Sequence, residues 1–150
     1  MLDVFAPLIA AARDVDLSDP VRARAELERR LAPGSAAASA LNRALVALLE
    51  AGQVAQRGEP PVRWSRVAKS TPATDGFSID VVDMTGPGPR HRHPNGEVNW
   101  CVALEGEPTF DGQPAGWVVE PPSSEHVPTV AGGRMLIVYL LPAGAIEFAT

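Results

Sequence analysis

The chain has 150 residues, of which 45% are hydrophobic and 21% are charged, the composition and length of one ordinary globular domain. Its net charge of −5 comes from residues 58–150, which hold six basic and eleven acidic side chains. No basic cluster could neutralise nucleic-acid phosphates, and no apolar run approaches the roughly 20 residues of a membrane span, so we expect neither partner.

The first residues, MLDVFAPLIAAARD, lack the basic segment with which a secretory signal begins. Cys101 is the single cysteine, which excludes an internal disulfide framework. Both features fit a reducing compartment, and we expect a cytoplasmic protein.

Residues 1–57 are predicted to form three short helices. The first covers residues 3–13, and the third covers residues 36–50 and stops at Gly52. The second begins at Pro20, with Ser18 or Asp19 as its N-cap, and ends before Pro33. Its apolar stripe is predicted to be Val21, Ala25, Leu27 and Leu31.

The segment of residues 1–57 is electrically neutral and has no basic recognition helix, which disfavours a DNA-binding helix-turn-helix. We expect these helices to pack on the following domain or on a partner subunit.

From residue 62 onward the sequence changes to short apolar alternations separated by Gly, Pro, Asn and Asp. Strands are predicted over residues 62–68, 77–83, 90–93, 97–104, 116–119, 126–130, 135–141 and 145–148. Many short strands at this spacing are typical of a β-sandwich or β-barrel rather than of alternating βα units. The sequence therefore predicts a mainly β fold, with a helical segment at 1–57 and a barrel at 58–150.

His91, His93 and Glu97 form the first group of candidate ligands. Alternate residues on a strand share a face, so the two histidines point the same way, about 6–7 Å apart. A three-residue hairpin loop at 94–96, with Gly96 at positive φ, would pair His93 directly with Glu97. In such a hairpin both imidazoles and the carboxylate reach one point.

His126 is predicted to be the fourth ligand, because the Pro121-Pro122 corner leads the chain into a new strand at this residue. Three imidazoles and one carboxylate suit one divalent first-row transition metal, with positions left for water or substrate. Fe, Mn, Co, Ni and Zn all fit this ligand set. All three histidines of the chain fall in the pattern.

The His-x-His, three residues, Glu spacing, followed by Pro-x-Ser-x-x-His at residues 121–126, resembles the two motifs of the cupin superfamily. Ser123 stands where a glycine is usual and Val130 where an asparagine is common, but neither is a ligand. The resemblance implies a cupin-type (jelly-roll) β-barrel with a short N-terminal helical segment, and it implies a metal bound by His91, His93, Glu97 and His126.

The longer phrases HRHPNGEVNWCVALEGEPTFDG, GWVVEPPSSEHVPTV and GGRMLIVYLLPAGAIEF resemble the 4-hydroxylaminobenzoate lyase family of bacterial nitroaromatic degradation. The resemblance implies a metal-dependent lyase that converts 4-hydroxylaminobenzoate, a small aromatic acid, to protocatechuate and ammonia. A metal-dependent oxygenase of a small aromatic acid and a non-catalytic ligand-binding cupin are the alternatives.

Roles for further residues follow from strand parity and chemistry. Glu97 is the candidate catalytic residue, a ligand that could loosen and exchange protons. Asn99 and Cys101 are predicted to face the barrel interior, while Trp100 faces outward. An outward tryptophan needs to be covered by the helices or by a second subunit. We expect a homodimer or higher homo-oligomer. Substrate contacts are predicted for Asn99, for Tyr139 through ring stacking, and for Arg134 through the substrate carboxylate.

Overall fold

The N-terminal part of the chain is helical in the computed structural model, which describes residues 1–149. A 3-10 turn, Leu2–Phe5, leads into α1 (Ala6–Ala12), and α2 (Pro20–Arg30) and α3 (Ala36–Glu50) follow. The side chain of Asp19 accepts a hydrogen bond from the backbone N–H of Arg22, and Ser35 caps α3 in the same way. No helix within residues 1–149 has both the length and the apolarity needed to cross a membrane.

The buried face of α2 differs from the predicted stripe at two positions, because Val21 and Ala25 are both exposed. Val21 is 80% exposed, whereas Ala23 and Leu27 are buried against the rest of the protein. Residues four apart lie on one face of a helix, so Ala23 and Leu27 define the packed side and Val21 lies away from it. Ala23, Leu27 and Leu31 recur at four-residue spacing and form the buried face, whereas Val21 and Ala25 lie on the opposite side of the helix.

Within residues 1–149, nine strands follow the helices. They are β1 (Arg57–Glu59), β2 (Val62–Ala68), β3 (Phe77–Pro87), β4 (His91–His93), β5 (Glu97–Phe110), β6 (Gly116–Glu120), β7 (Ser124–His126), β8 (Thr129–Pro142) and β9 (Glu147–Phe148). They form a six-stranded sheet in the order β1-β2-β3-β8-β5-β6 and a three-stranded sheet in the order β7-β4-β9, with every pairing antiparallel. The predicted mainly β architecture is confirmed, and β1 is a strand that the sequence had not indicated.

The six-stranded sheet has two apolar faces with different neighbours. Its inner face, turned toward the three-stranded sheet, carries the buried side chains of Val82, Met84, Cys101, Phe110, Val118, Val130, Met135, Ile137 and Tyr139. Its outer face packs with the helices in one continuous cluster. Strands that alternate between two buried faces in this way produce the layered core of a jelly roll.

Two indole N–H groups connect the helices to the outer face. Trp100 Nε1 donates to Oδ1 of Asn42 on α3 at 2.8 Å, and Trp117 Nε1 donates to the carbonyl of Leu31 at 2.9 Å. The two indole rings contact each other edge to face, with centroids 4.9 Å apart. Trp100 is therefore covered by the helices of its own chain.

The division of the chain into separate units at residue 57 stays a prediction.

Candidate metal centre

Side chains from three strands of the two sheets meet at one point inside the barrel. His91 and His93 lie on β4, and the strand pairing sets His126 of β7 directly opposite His91. Glu97 is the first residue of β5 in the other sheet. One ligand atom from each of these four residues lies within 4.8 Å of all the others, and His91, His93 and Glu97 are buried.

The way in which Glu97 reaches the histidines differs from the predicted hairpin. β4 pairs with β7 and β9, whereas β5 pairs with β6 and β8, so His93 and Glu97 are not neighbours in a ladder. The turn at 94–96 instead carries the chain from one sheet to the other. Gly96 has the predicted positive φ, +87°, and a Cβ there would lie 3.0 Å from the carbonyl oxygen of Glu120.

The four side chains approach each other closely through their metal-binding atoms. Oε2 of Glu97 lies 2.5 Å from Nε2 of His93 and 3.6 Å from Nε2 of both His91 and His126. The Nε2 atoms of His91 and His126 are 3.0 Å apart. Each pair of imidazole rings has a centroid separation of 4.6 Å.

Each imidazole has an acceptor on its other nitrogen. Nδ1 of His91 lies 3.1 Å from the carbonyl oxygen of Pro89, and Nδ1 of His126 lies 2.6 Å from Oδ2 of Asp111. Nδ1 of His93 lies 2.9 Å from Oγ of Ser124, whose own hydroxyl donates to the carbonyl of Pro121. These acceptors place the proton on Nδ1, which leaves every Nε2 with a lone pair directed at the centre.

This arrangement fits a cation and little else. Two nitrogen lone pairs face each other at 3.0 Å, which is repulsive unless a positive charge lies between them. Among residues 1–149, both oxygens of Glu97 and Nε2 of His93 are buried and have no hydrogen-bond partner. A divalent metal would satisfy all of these atoms at once, and three imidazoles with one carboxylate are ligands that first-row metals accept.

The ionisation of Glu97 agrees with this reading. Burial on its own raises the pKa of this carboxyl, but hydrogen bonds and positive charge from His91 and His93, when they are protonated, lower it to about 2. A metal ion held by the same imidazoles would supply that positive charge in their place. Glu97 is therefore a carboxylate at neutral pH.

Two further carboxylates surround His126. Asp111 binds Nδ1 of the ring with one oxygen and accepts the backbone N–H of Thr129 with the other, and Oε1 of Glu120 lies 3.5 Å from the same Nδ1. Burial lowers the pKa of His126, but the bond from Asp111 and the nearby carboxylates raise it overall. Burial raises the pKa of Glu120. Asp111 carries no signal for this contact in the sequence, because it lies 15 residues from His126 and only the fold brings the two side chains together.

The predicted substrate contacts lie in different places. Asn99 is fully buried on the inner face, two residues from Glu97, and neither atom of its amide has a partner within residues 1–149. Tyr139 pairs with Asn99 across the sheet, and its ring centroid is 6.5 Å from that of His91. Arg134 lies five residues before Tyr139 on β8, about 16 Å away along the strand. It is on the outer face in ion pairs with Asp83 and Glu105.

A cavity of about 450 Å³ opens beside the histidines. His91 and Tyr139 line it, and its walls come from β2, β3 and the segment around β9. The wall includes three residues that the sequence had not singled out, namely Trp64, Arg66 and Phe148. The volume is in the range of sites for small organic ligands, and the lining is mostly apolar.

The two facing antiparallel sheets, with three histidines and a glutamate gathered between them, define a cupin-type jelly-roll barrel. A solved structure with a similar arrangement is an RmlC-like cupin protein from Ralstonia eutropha. It is 19% identical with a TM-score of 0.46, over 61% of this chain and 62% of that one.

The family comparison is more specific. The family described as PnbB, 4-hydroxylaminobenzoate lyase, matches residues 6–148, and the chain belongs to this family. Two proteins named 4-hydroxylaminobenzoate lyase are similar to it. One, from a Nocardioides species, is 35% identical over 97 residues, which are 59% of this chain and 57% of that protein. The other, from Pseudomonas putida, is 33% identical over 105 residues, which are 59% of this chain and 60% of that protein. The chain thus matches under two thirds of the length of each.

Proposed function

We propose that this protein is a metal-dependent lyase that converts 4-hydroxylaminobenzoate to protocatechuate and ammonia. The observation that carries the proposal is the cluster of His91, His93, Glu97 and His126, which contains unpaired buried ligand atoms and lies beside a mostly apolar cavity with room for a small aromatic acid. The family match and the two named relatives support the choice of substrate.

The reaction balances with water alone. The N–O bond breaks and the hydroxyl leaves as water, and an entering water forms a C–O bond at the neighbouring ring carbon. A second entering water hydrolyses the resulting imine to release ammonia, and loss of the proton from the attacked ring carbon restores the aromatic ring. One water molecule is consumed in total, and the electrons lost by the ring are gained by nitrogen. No dioxygen is consumed, which distinguishes this reaction from that of an oxygenase.

His91, His93, Glu97 and His126 would hold the metal, which when bound supplies Lewis acidity and a lowered pKa for water. Glu97 has two oxygens in the cluster and stays ionised, so one of them can accept a proton from the attacking water and return it to the departing nitrogen. Burial of these groups excludes competing solvent and strengthens their electrostatic interactions.

Asn99 and Tyr139 would position the substrate. The unpaired amide of Asn99 can donate to the hydroxylamine oxygen or accept from its N–H, and the ring of Tyr139 offers an apolar surface to the aromatic ring. The metal's identity among Fe, Mn, Co, Ni and Zn, the cytoplasmic location and the homo-oligomeric assembly stay predictions from the sequence.

The test is incubation of the purified, metal-analysed protein with 4-hydroxylaminobenzoate under nitrogen, with protocatechuate and ammonia quantified together. We expect both products in equal amounts without oxygen. His91→Ala and His126→Ala should lose bound metal and product formation together. Arg90→Ala is the matched control, because Arg90 directly precedes β4 but its exposed side chain pairs with Glu125 away from the cluster.

Other outcomes would point to the alternatives. Product formation that requires oxygen would indicate an oxygenase. Tight binding of the aromatic acid with metal present and no turnover would indicate a non-catalytic cupin. Full activity in His91→Ala protein that contains no metal would contradict the metal-dependent reaction.

A further inference from the structure

A row of polar side chains crosses the inner face of the six-stranded sheet. Asn99 of β5 is paired with Tyr139 of β8, Tyr139 with Asp80 of β3, and Asp80 with Arg66 of β2. Directly paired residues share a face, so all four point into the barrel side of the sheet. Adjacent strands are about 4.8 Å apart, so the row extends roughly 14 Å across the four strands, from Asn99 to Arg66 in the cavity wall.

Arg66 stands at the outer end of this row and lines the cavity together with Trp64, Tyr139 and His91. It is the only cationic arginine or lysine among the described residues of the cavity wall. Its Nε and Nη2 bind the two carboxylate oxygens of Asp80 at 2.8 and 3.0 Å. This bidentate bond fixes the guanidinium plane. Its Nη1 makes no hydrogen bond to any of residues 1–149 and is left to bind a second anion.

The wall also carries the apolar side chains of Trp64, Val82, Met84 and Phe148, and its other polar side chains are His91, Tyr139 and Asp80, the partner of Arg66. A flat apolar body would fit between these walls, with one polar end at the cluster and the other at Arg66. Arg134 cannot take this role from its position on the outer face, where Asp83 and Glu105 already bind its guanidinium.

We propose that Arg66 is the specificity-determining residue that binds the carboxylate of the substrate and so selects aromatic acids over their uncharged analogues. Asp80 is the positioning residue that holds the guanidinium toward the cavity. The inference rests on the proposed function for the identity of the substrate group that lies at the metal. The binding of the substrate carboxylate is inferred from Arg66 and the cavity wall alone.

The test measures binding rather than turnover. Calorimetric titration of the metal-analysed protein compares 4-hydroxybenzoate with its uncharged amide, 4-hydroxybenzamide, which has nearly the same shape. We expect the wild-type protein to bind the acid about tenfold more tightly than the amide, as a charge-assisted bond in a partly exposed site provides. Arg66→Met should bind acid and amide equally, and Arg66→Lys should keep part of the preference.

Two further variants separate a binding role from a structural one. Asp80→Asn keeps one oxygen that can hold the guanidinium but removes the competing negative charge, so the preference for the acid should increase, whereas an unchanged preference would contradict binding of the carboxylate at Arg66. Arg63→Met is the matched control, because Arg63 is exposed on the same strand but points to the opposite face, and its loss removes the same net charge. Its preference should equal that of the wild-type protein.

Equal binding of acid and amide by the wild-type protein would overturn the proposal even if Arg66→Met fails to fold. An unchanged preference for the acid over the amide in folded Arg66→Met protein would also overturn the proposal. The two proposals fail separately. If the preference for the acid depends on Arg66 but no protocatechuate forms, the lyase is refuted and the carboxylate site stands. If the lyase is fully active without that preference, the carboxylate site is refuted and the lyase stands.

Discussion

The three histidines of the cluster are fixed by three different acceptors, a backbone carbonyl, a hydroxyl and a carboxylate. All three bind Nδ1, so every ring presents the same nitrogen to the centre. The difference between them is electrostatic, because only His126 has a carboxylate as its partner. A carboxylate makes an imidazole a stronger electron donor, so His126 should be the most basic of the three ligands.

Ser124 is the most easily tested of these partners. Ser124→Ala removes the acceptor of the fully buried His93, which leaves Nδ1–H unpaired or moves its proton to Nε2, where it competes with metal. We expect the metal affinity to fall about 10- to 100-fold, measured by competition with a chelator of known affinity. Ser123→Ala is the control, because its hydroxyl contacts Arg92 on the outside of the small sheet. Equal affinities of the two variants would refute this role.

Cys101 provides a test of burial on the inner face. Burial raises the pKa of this thiol well above its usual value, because the thiolate would lose its hydration and lie near the charge of Glu97. The native protein should therefore react with an aromatic disulfide reagent at pH 8 far more slowly than the denatured protein. Since the raised pKa favours the neutral thiol, its contribution to stability is present below about pH 8.5 and is lost as the pH rises further. Rapid labelling of the native protein would show that Cys101 is accessible.

At the scale of elements, the helices are held to the barrel by two aromatic residues of the outer face. Trp100 is buried beneath α3, and its N–H depends on the amide of Asn42. Trp117 depends instead on a backbone carbonyl, which no side-chain substitution removes. The contact between α3 and the sheet is thus more sensitive to mutation than the contact near α2.

Asn42→Leu should destabilise the protein by about 1–3 kcal/mol, because it leaves a buried indole N–H without an acceptor. The free energy of unfolding in urea measures this directly, and the metal content of the folded protein should not change. Arg43→Ala, at the exposed neighbouring position of the same helix, should change stability by less than about 0.5 kcal/mol. A loss of equal size in both variants would contradict the role of the indole bond, because both substitutions favour the helix by intrinsic propensity.

Local signals in the sequence predicted most of the strands and the four candidate ligands, but not the pairing between the strands. They missed β1, and the strand predicted over residues 126–130 is divided, since β7 ends at His126 and β8 begins at Thr129. Alternation and turn residues predicted strands at His91 and Glu97, and parity correctly placed Asn99 and Cys101 inside and Trp100 outside. The hairpin between β4 and β5 was wrong, because strand partners depend on the whole sheet and a turn with Gly96 at positive φ is compatible with a hairpin or with a crossing between sheets. Glu97 meets the histidines by either path.

Arg66 illustrates a second limit. It lies 25 residues before His91 in the sequence, in a strand of ordinary composition, and only the register β2–β3–β8 brings it level with Tyr139. Arg134 had more obvious sequence features, since it follows two glycines, but strand parity placed it on the outer face. Long-range register therefore decides which arginine can face the cavity.

At the scale of the whole molecule, the cluster joins the two sheets. His91, His93 and His126 belong to the small sheet, and Glu97 belongs to the large one. Without a cation, the site brings unpaired buried acceptors together, which opposes close packing of the sheets. A bound metal would convert this repulsion into a bond between sheets, so metal binding and barrel stability should be coupled.

Metal removal should therefore lower the thermal stability of the whole protein. A ligand that binds only the folded state at about 1,000 times its Kd stabilises by roughly 4 kcal/mol, which for a chain of this length corresponds to a Tm shift of roughly 8–16 °C. Calorimetric scans of metal-loaded protein and of protein dialysed against a chelator measure the shift, and added metal should reverse it. His126→Ala should give the same Tm with and without metal. A shift of equal size in this variant would mean that the metal stabilises the protein from another site.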